Sequence, residues 1–136
     1  MTEAPRIVFT LCAGPAPRSA HERASQAWVA QRLASILGWE FGGEYDPRHA
    51  RAGIPYFVPD ETLSTAQAAG LRIEGEADLF GGVVPHGFVA GKTITHPLPA
   101  AASAAPAGWR HDLAPRLEGA VLSGFSVFGH AEIEGG

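Results

Sequence analysis

Lysine occurs once in this chain, and it stands among residues suited to chemistry. Lys92 lies in a segment, residues 80–98, that also holds His86, Thr95, His96, four glycines and two prolines. A lysine ammonium pairs with phosphate oxygens as a point charge. Histidine can move a proton near neutral pH. Glycines such as Gly81 and Gly82 let a ligand approach the backbone. The tripeptide Phe-Gly-Gly at 80–82 also occurs at 41–43, where Glu44 follows it. The candidate ligand-facing residues are therefore Gly42, Gly43, Glu44, Gly81, Gly82, His86, Thr95 and His96, with Lys92 as the cation. A competing reading is compositional. Nine arginines accompany the one lysine in an alanine-rich chain, so biased coding could leave a lone lysine by accident. Tight turns explain both Phe-Gly-Gly tripeptides equally well.

Familiar catalytic patterns are missing. Gly87-Phe-Val-Ala-Gly91-Lys92-Thr93 looks like a phosphate-binding P-loop, but that loop needs four residues between its glycines and this one has three. It must also run into a helix, and Pro97 and Pro99 forbid a sustained one after Lys92. His86, His96 and His111 are too far apart in sequence for ligands on one helix face, so no metal site is expected. Asp46 and His49 are three apart, in a loop where spacing carries little meaning. No serine sits in a Gly-x-Ser-x-Gly elbow. Catalytic residues in this chain are expected to be none.

A chain of 136 residues is expected to form one domain with a real core. Such a length buries roughly two-thirds of its unfolded surface. The formal net charge is -4, and no run of Lys or Arg offers a nucleic-acid or anionic-membrane footprint. Neither partner is expected. Cys12 is the single cysteine, which excludes an internal disulfide and a thiolate-rich zinc site. It closes an apolar run, so a buried, inert thiol is expected. The N-terminal apolar run is short and Glu3 stands where a leader carries positive charge, so no signal peptide is read. No stretch has the length of a membrane span. The expected location is the cytoplasm.

The elements follow from local signals. Arg6 to Cys12 reads as a buried strand, broken by Gly14-Pro15-Ala16-Pro17. Ser19 and Glu22 have capping-box spacing for a helix that Gly38 ends. Val29, Leu33, Ile36 and Leu37 should form its buried face. Trp39 to Phe41 is a short strand, which completes a β-α-β unit and favours a parallel sheet. Gly42 to Gly53 reads as a loop. Ile54 to Val58 is a strand, and Pro55 consigns it to an edge. Asp60 should cap a helix running through Ala69, followed by a short strand at Leu71 to Ile73. Glu74 to Asp78 is a turn, and Val83-Val84 a last short strand. Pro99 to Gly108 is Ala/Pro low complexity, a loop or linker. Asp112 should cap a short helix with Pro115 in its first turn. Ala120 to Leu122 resembles a strand. Phe125, Val127 and Phe128 have no later element to cover them.

Four segments together carry a resemblance. They are Phe41-Gly-Gly-Glu-Tyr-Asp46, Pro55-Tyr-Phe-Val-Pro59, Asp78-Leu-Phe-Gly-Gly-Val-Val-Pro-His86 and Lys92-Thr-Ile-Thr-His96. They resemble a family of uncharacterised bacterial proteins known as a domain of unknown function. The resemblance runs from the first helix to about Phe128. Full-length members are longer and look similar to ATP-grasp enzymes, which join a carboxylate to a nucleophile through an acyl phosphate. The resemblance implies a small α/β opening domain here. It implies that Lys92 is the lysine contacting nucleotide phosphate. ATP and magnesium would be cofactors of the full-length family, with none for this chain alone. The partner would be a small-molecule substrate of unknown identity, and nothing bears on oligomeric state. Two positions depart from the pattern, Gly87 where proline is expected and Gly91 where a larger polar residue is. The second phosphate-contacting lysine and the acidic magnesium ligands would lie beyond residue 136. Residues 129–136 do not read like the family, so a truncated or frameshifted frame is expected.

The expected fold is α/β, with a small parallel-leaning sheet and flanking helices. Its expected parts are residues 1–98 as the α/β domain, 99–108 as the linker, and 109–136 as an incomplete extension. The expected function is the N-terminal portion of an ATP-grasp-like ligase, inactive alone. The alternative is a free-standing α/β binding or interaction module.

Overall fold

The computed structural model describes residues 4–49 and 51–135. Glu3 and Gly136, both used in the sequence reading, lie outside them. The chain divides into two compact units, Met1–Val84 and Pro85–Gly136.

The first unit is built on β1, Arg6–Leu11, whose residues 7–11 are all buried. The β-branched and aromatic side chains of this run suit a strand covered on both faces. β1 is central in a parallel sheet of three strands, ordered β2-β1-β3, with β2 at Glu40–Glu44 and β3 at Ile54–Pro59. The sheet and its helices give the mixed α/β architecture expected. Alternation sends Ile7, Phe9, Leu11 and Phe57 to one face and Val8, Tyr56 and Val58 to the other. Pro55 lies on an edge strand of the sheet, as its missing N–H demands.

α1, Ala20–Leu37, crosses from β1 to β2. Its start is the expected capping box. The Ser19 amide donates to the Glu22 carboxylate (2.7 Å), and the Glu22 amide donates to Ser19 Oγ (3.1 Å). Gly38 ends it at φ 70, a left-handed conformation that costs glycine nothing. The buried stripe differs from the one expected. Ala30 and Ala34 lie at the sheet, with Val29 and Leu33 beside them, while Ile36 and Leu37 are exposed. The small alanines bring the helix close to the sheet. Ile36 then falls at the margin of the covered arc, and Leu37 in the final turn.

β2 is longer than Trp39–Phe41 and runs on through Gly42 and Gly43. The reason is a bulge. Val8 faces Phe41 but Phe9 faces Gly43, so Gly42 is an extra residue in the ladder. A Cβ on Gly42 would come 2.7 Å from Ile7 Cγ2 and closer still to the Phe9 ring. Gly42→Ala should therefore overpack this face and cost about 1–3 kcal/mol. A urea midpoint unchanged by that substitution would contradict the packing account.

Three further expectations fail in this unit. The second helix does not begin at Asp60. α2 is Thr65–Gly70, capped by Ser64 and Gln67 in a second capping box. Leu71–Ile73 is no strand, because Arg72 turns left-handed (φ 57) and Ile73 N returns to Ala68 O. Cys12 is exposed, since β1 ends at Leu11 and the chain leaves the sheet there. The short strands β4, Leu63–Ser64, and β5, Val83–Val84, pair in parallel, and Leu79 makes an isolated bridge to Phe57.

The second unit holds short elements: α3, Gly87–Ala90, a 3-10 turn Thr93–Thr95, α4, Leu113–Arg116, and a 3-10 helix His130–Gly135. Pro115 lies in the first turn of α4, as expected, but Asp112 does not cap it. Its carboxylate instead takes two hydrogen bonds from Arg110, both 2.9 Å. Ala120–Leu122 is not a strand. Gly119 turns left-handed (φ 84), Ala120 N closes back on Leu117 O, and among the described residues no strand pairs with this segment. Ser126 ties this region down through its amide to Pro97 O (2.9 Å) and its hydroxyl to Thr93 O (2.6 Å). Phe88, Trp109 and Phe128 form an aromatic chain with centroids 5.5 and 5.3 Å apart. Phe125 remains 63% exposed and Phe128 41%. Among the described residues no helix is long and apolar enough to cross a membrane.

Candidate functional site

The chain leaves β1 through α1 towards β2, on one side. It leaves β3 towards Leu79, on the other side. Phe57 gives its N–H and C=O to Asp78 and Phe80, so that bridge lies on the edge of β3 away from β1. Connections that diverge in this way open a crevice beyond the carboxyl ends of two adjacent parallel strands, the usual place for a ligand in open α/β sheets. The first unit has such a crevice. An open cleft of about 680 Å³ is lined by residues 14–18 after β1, the first turns of α1, residues 58–62 at the end of β3, and residues 80–82. Its volume is within the range of small-molecule sites.

The rim of the cleft is locked by polar side chains. Gln26 on α1 donates from Nε2 to Leu11 O (3.0 Å) and to Val58 O (2.8 Å), so it joins the ends of β1 and β3. Asp60 Oδ1 accepts from the amides of Ala13 (2.8 Å) and Gly14 (3.4 Å). This is what the Asp60 carboxylate does in place of capping a helix. Arg18 completes the lock. It pairs with Asp60 at 3.3 Å and Glu44 at 2.9 Å, and it donates to Gln26. The Arg18 side chain is 10% exposed and that of Asp60 15%. Burial works against the Arg18 charge, but the hydrogen bond to Glu44 and the fields of Cys12, Glu44 and Asp60 outweigh it. The guanidinium therefore holds its proton more firmly than usual.

The candidates from sequence fall on both units. Gly81 and Gly82 line the cleft. Glu44 does not line it, but supports Arg18, which does. Gly42 and Gly43 lie in β2, where the bulge accounts for both. Lys92, His86, Thr95 and His96 belong to the second unit. There Thr95 Oγ1 donates to Lys92 O (2.7 Å), and His96 Nε2 lies 3.1 Å from Leu122 O. His86 stacks on Phe88 at 4.9 Å, beside the backbone of Gly108. Lys92 is exposed and left-handed (φ 59), and only the 3-10 turn Thr93–Thr95 follows it. No P-loop geometry exists there.

Arg18, Gln26, Asp60 and Glu61 were not among the site residues expected from the sequence. One signal pointed to them. In a parallel sheet the residues just after β1 and β3 are the ones placed to meet a ligand.

Elsewhere, Asp46 accepts from Arg48 Nε (3.0 Å), the Arg48 amide (2.9 Å) and His49. The Arg48 side chain, then its amide, then His49 hold the Asp46 carboxyl well below the usual carboxylate range. The Ser19 amide and hydroxyl lower Glu22, and Arg110 lowers Asp112. A carboxyl with a depressed folded pKa stabilises the fold above its unfolded value and loses that contribution as pH falls. The urea midpoint should therefore drop as pH falls below about 4, and Asp46→Asn should reduce the drop. A midpoint that rises on acidification would contradict the sign.

Fold and site define a class: a small parallel α/β protein with a ligand-sized cleft at the carboxyl edge of its sheet. The chain belongs to the family described as "Protein of unknown function (DUF3182)", which matches residues 10–136 and so includes residues 129–136, contrary to the expectation that they fall outside the family. No curated protein and no solved structure matches it.

Proposed function

We propose that the first unit binds a small-molecule substrate in the cleft beyond β1 and β3. We place it as the opening, substrate-binding part of an ATP-grasp-like ligase. The observation that carries the binding reading is the cleft itself, set where two parallel strands send their connections in opposite directions. The ligase assignment draws on the resemblance of residues 41–96. In it Lys92 supplies one contact to nucleotide phosphate. The same cleft equally suits a free-standing binding module without catalysis.

The described residues do not fit a complete magnesium–nucleotide site. Lys92 is the one lysine, and among the described residues no three His, Cys, Asp or Glu side chains gather to hold a metal ion. A lone lysine leaves most phosphate charge unsatisfied. Calorimetry should therefore show magnesium–ATP binding no tighter than about 10 μM, roughly 7 kcal/mol. Tighter binding would mean that this chain holds a full nucleotide site.

The cleft reading is tested by a ligand-observed NMR screen of small polar fragments on the full chain. Ala16→Trp, at an exposed cleft position, serves as the blocked variant. Fragments should bind the native chain and be lost on blocking. A screen with no hits, or hits indifferent to Ala16→Trp, would overturn the reading.

A further inference from the structure

Resting on that cleft reading, we infer that the ligand carries a protonated amine on an apolar body. Most of the charges at the cleft are already engaged within the protein. Arg18 is its one guanidinium, and Glu44, Asp60 and Gln26 occupy it from three sides. The first turn of α1 would attract an anion, but it is already served by the Ser19 hydroxyl and the Glu22 carboxylate of the capping box. Neither feature is left to receive a phosphate or carboxylate.

Glu61 is different. It is an exposed residue, and among the described residues its carboxylate makes no hydrogen bond or ion pair. It lies on the cleft wall over Gly14, where a Cβ would meet it at 3.1–3.4 Å. A side chain on Gly14 would crowd that carboxylate and make it shift by a few tenths of an ångström. Lining carboxylates (Glu22, Asp60, Glu61) outnumber the guanidinium three to one, and still outnumber the basic residues when His21 is counted, so the cleft favours positive charge. Pro15, Pro17, Val29, Pro59 and Phe80 give the rest of the wall an apolar character. An ammonium that meets Glu61, with hydrocarbon against these side chains, satisfies both halves.

Three probes sharing one body separate the possibilities on the full chain: 2-phenylethylamine, 2-phenylethanol and 3-phenylpropionate. Each is titrated by amide NMR to about 10 mM, a range that reads millimolar affinity. The amine should shift amides of residues 13–18, 59–62 and 80–82 and bind about five- to tenfold tighter than the alcohol. Glu61→Gln should abolish that preference and leave alcohol binding unchanged. Gly14→Ala, which moves the carboxylate without removing it, should weaken the preference. The inference is overturned if the carboxylate probe binds the cleft as tightly as the amine. It is overturned equally if the preference survives Glu61→Gln, or if none of the three moves cleft amides. In all three cases the cleft reading stands or falls separately, on the fragment screen and its blocked variant.

Discussion

Phe57→Ala should cost about 3–5 kcal/mol, as expected for deleting a fully buried aromatic ring. Phe57 is 1% exposed in the middle of β3. Its ring meets Tyr45 edge-on at 4.9 Å and packs in one cluster with Leu63 and Leu79. Its backbone also binds Asp78 and Phe80. The side chain therefore fastens the sheet to the segment that carries one wall of the cleft. Small domains have only about 5–15 kcal/mol of stability in all, so the variant should be partly unfolded under mild conditions. Phe125→Ala is the control. That ring is mostly exposed, and its loss should fall within about 0.5 kcal/mol. Equal losses from the two variants, read from urea midpoints, would mean that the sheet does not hold the core.

Arg18→Ala should cost about 2 kcal/mol. Removing one member of a buried ion pair costs about 3–5 kcal/mol when the partner stays dry. Here Asp60 lines the cleft and the Glu44 side chain is 54% exposed, so both keep access to water and the cost falls below that range. Arg18→Lys should recover little, because one ammonium cannot reach three acceptors with the fork geometry of a guanidinium. Asp60 would keep its bonds from Ala13 and Gly14. The loops after β1 and β3 should therefore loosen at the Gln26 and Glu44 side first. Denaturation midpoints with amide exchange at residues 11–18 test this. An Arg18→Lys variant as stable as the native chain would show that charge alone matters at this position.

Much of the fold was legible in the sequence. The capping box at Ser19 and Glu22, the left-handed Gly38 and the edge position of Pro55 depend on neighbours within a few residues, and local rules find them. The failures share a different cause. Asp60 looked like a cap, yet its carboxylate is taken by amides 46 and 47 residues away. Gly42 looked like the start of a loop, yet it answers to Phe9 and Ile7 on a neighbouring strand. Ile36 has the helical spacing of a buried residue, but the sheet chose the arc centred on Ala30 and Ala34. Arg18, Gln26 and Asp60 are scattered in sequence and meet only after strand order is fixed. Around Lys92, residue types suited to chemistry gather in one segment of sequence. Gly81 and Gly82, from the beginning of that segment, line the cleft, and its histidines are engaged within the second unit.

The claim that the first unit receives a ligand beyond β1 and β3 is tested most directly by amide chemical-shift mapping of the full chain with the strongest fragment hit. Shifts should concentrate at residues 13–18, 59–62 and 80–82, with little change around Lys92. Shifts confined to residues 86–96, with the cleft amides unmoved, would contradict it.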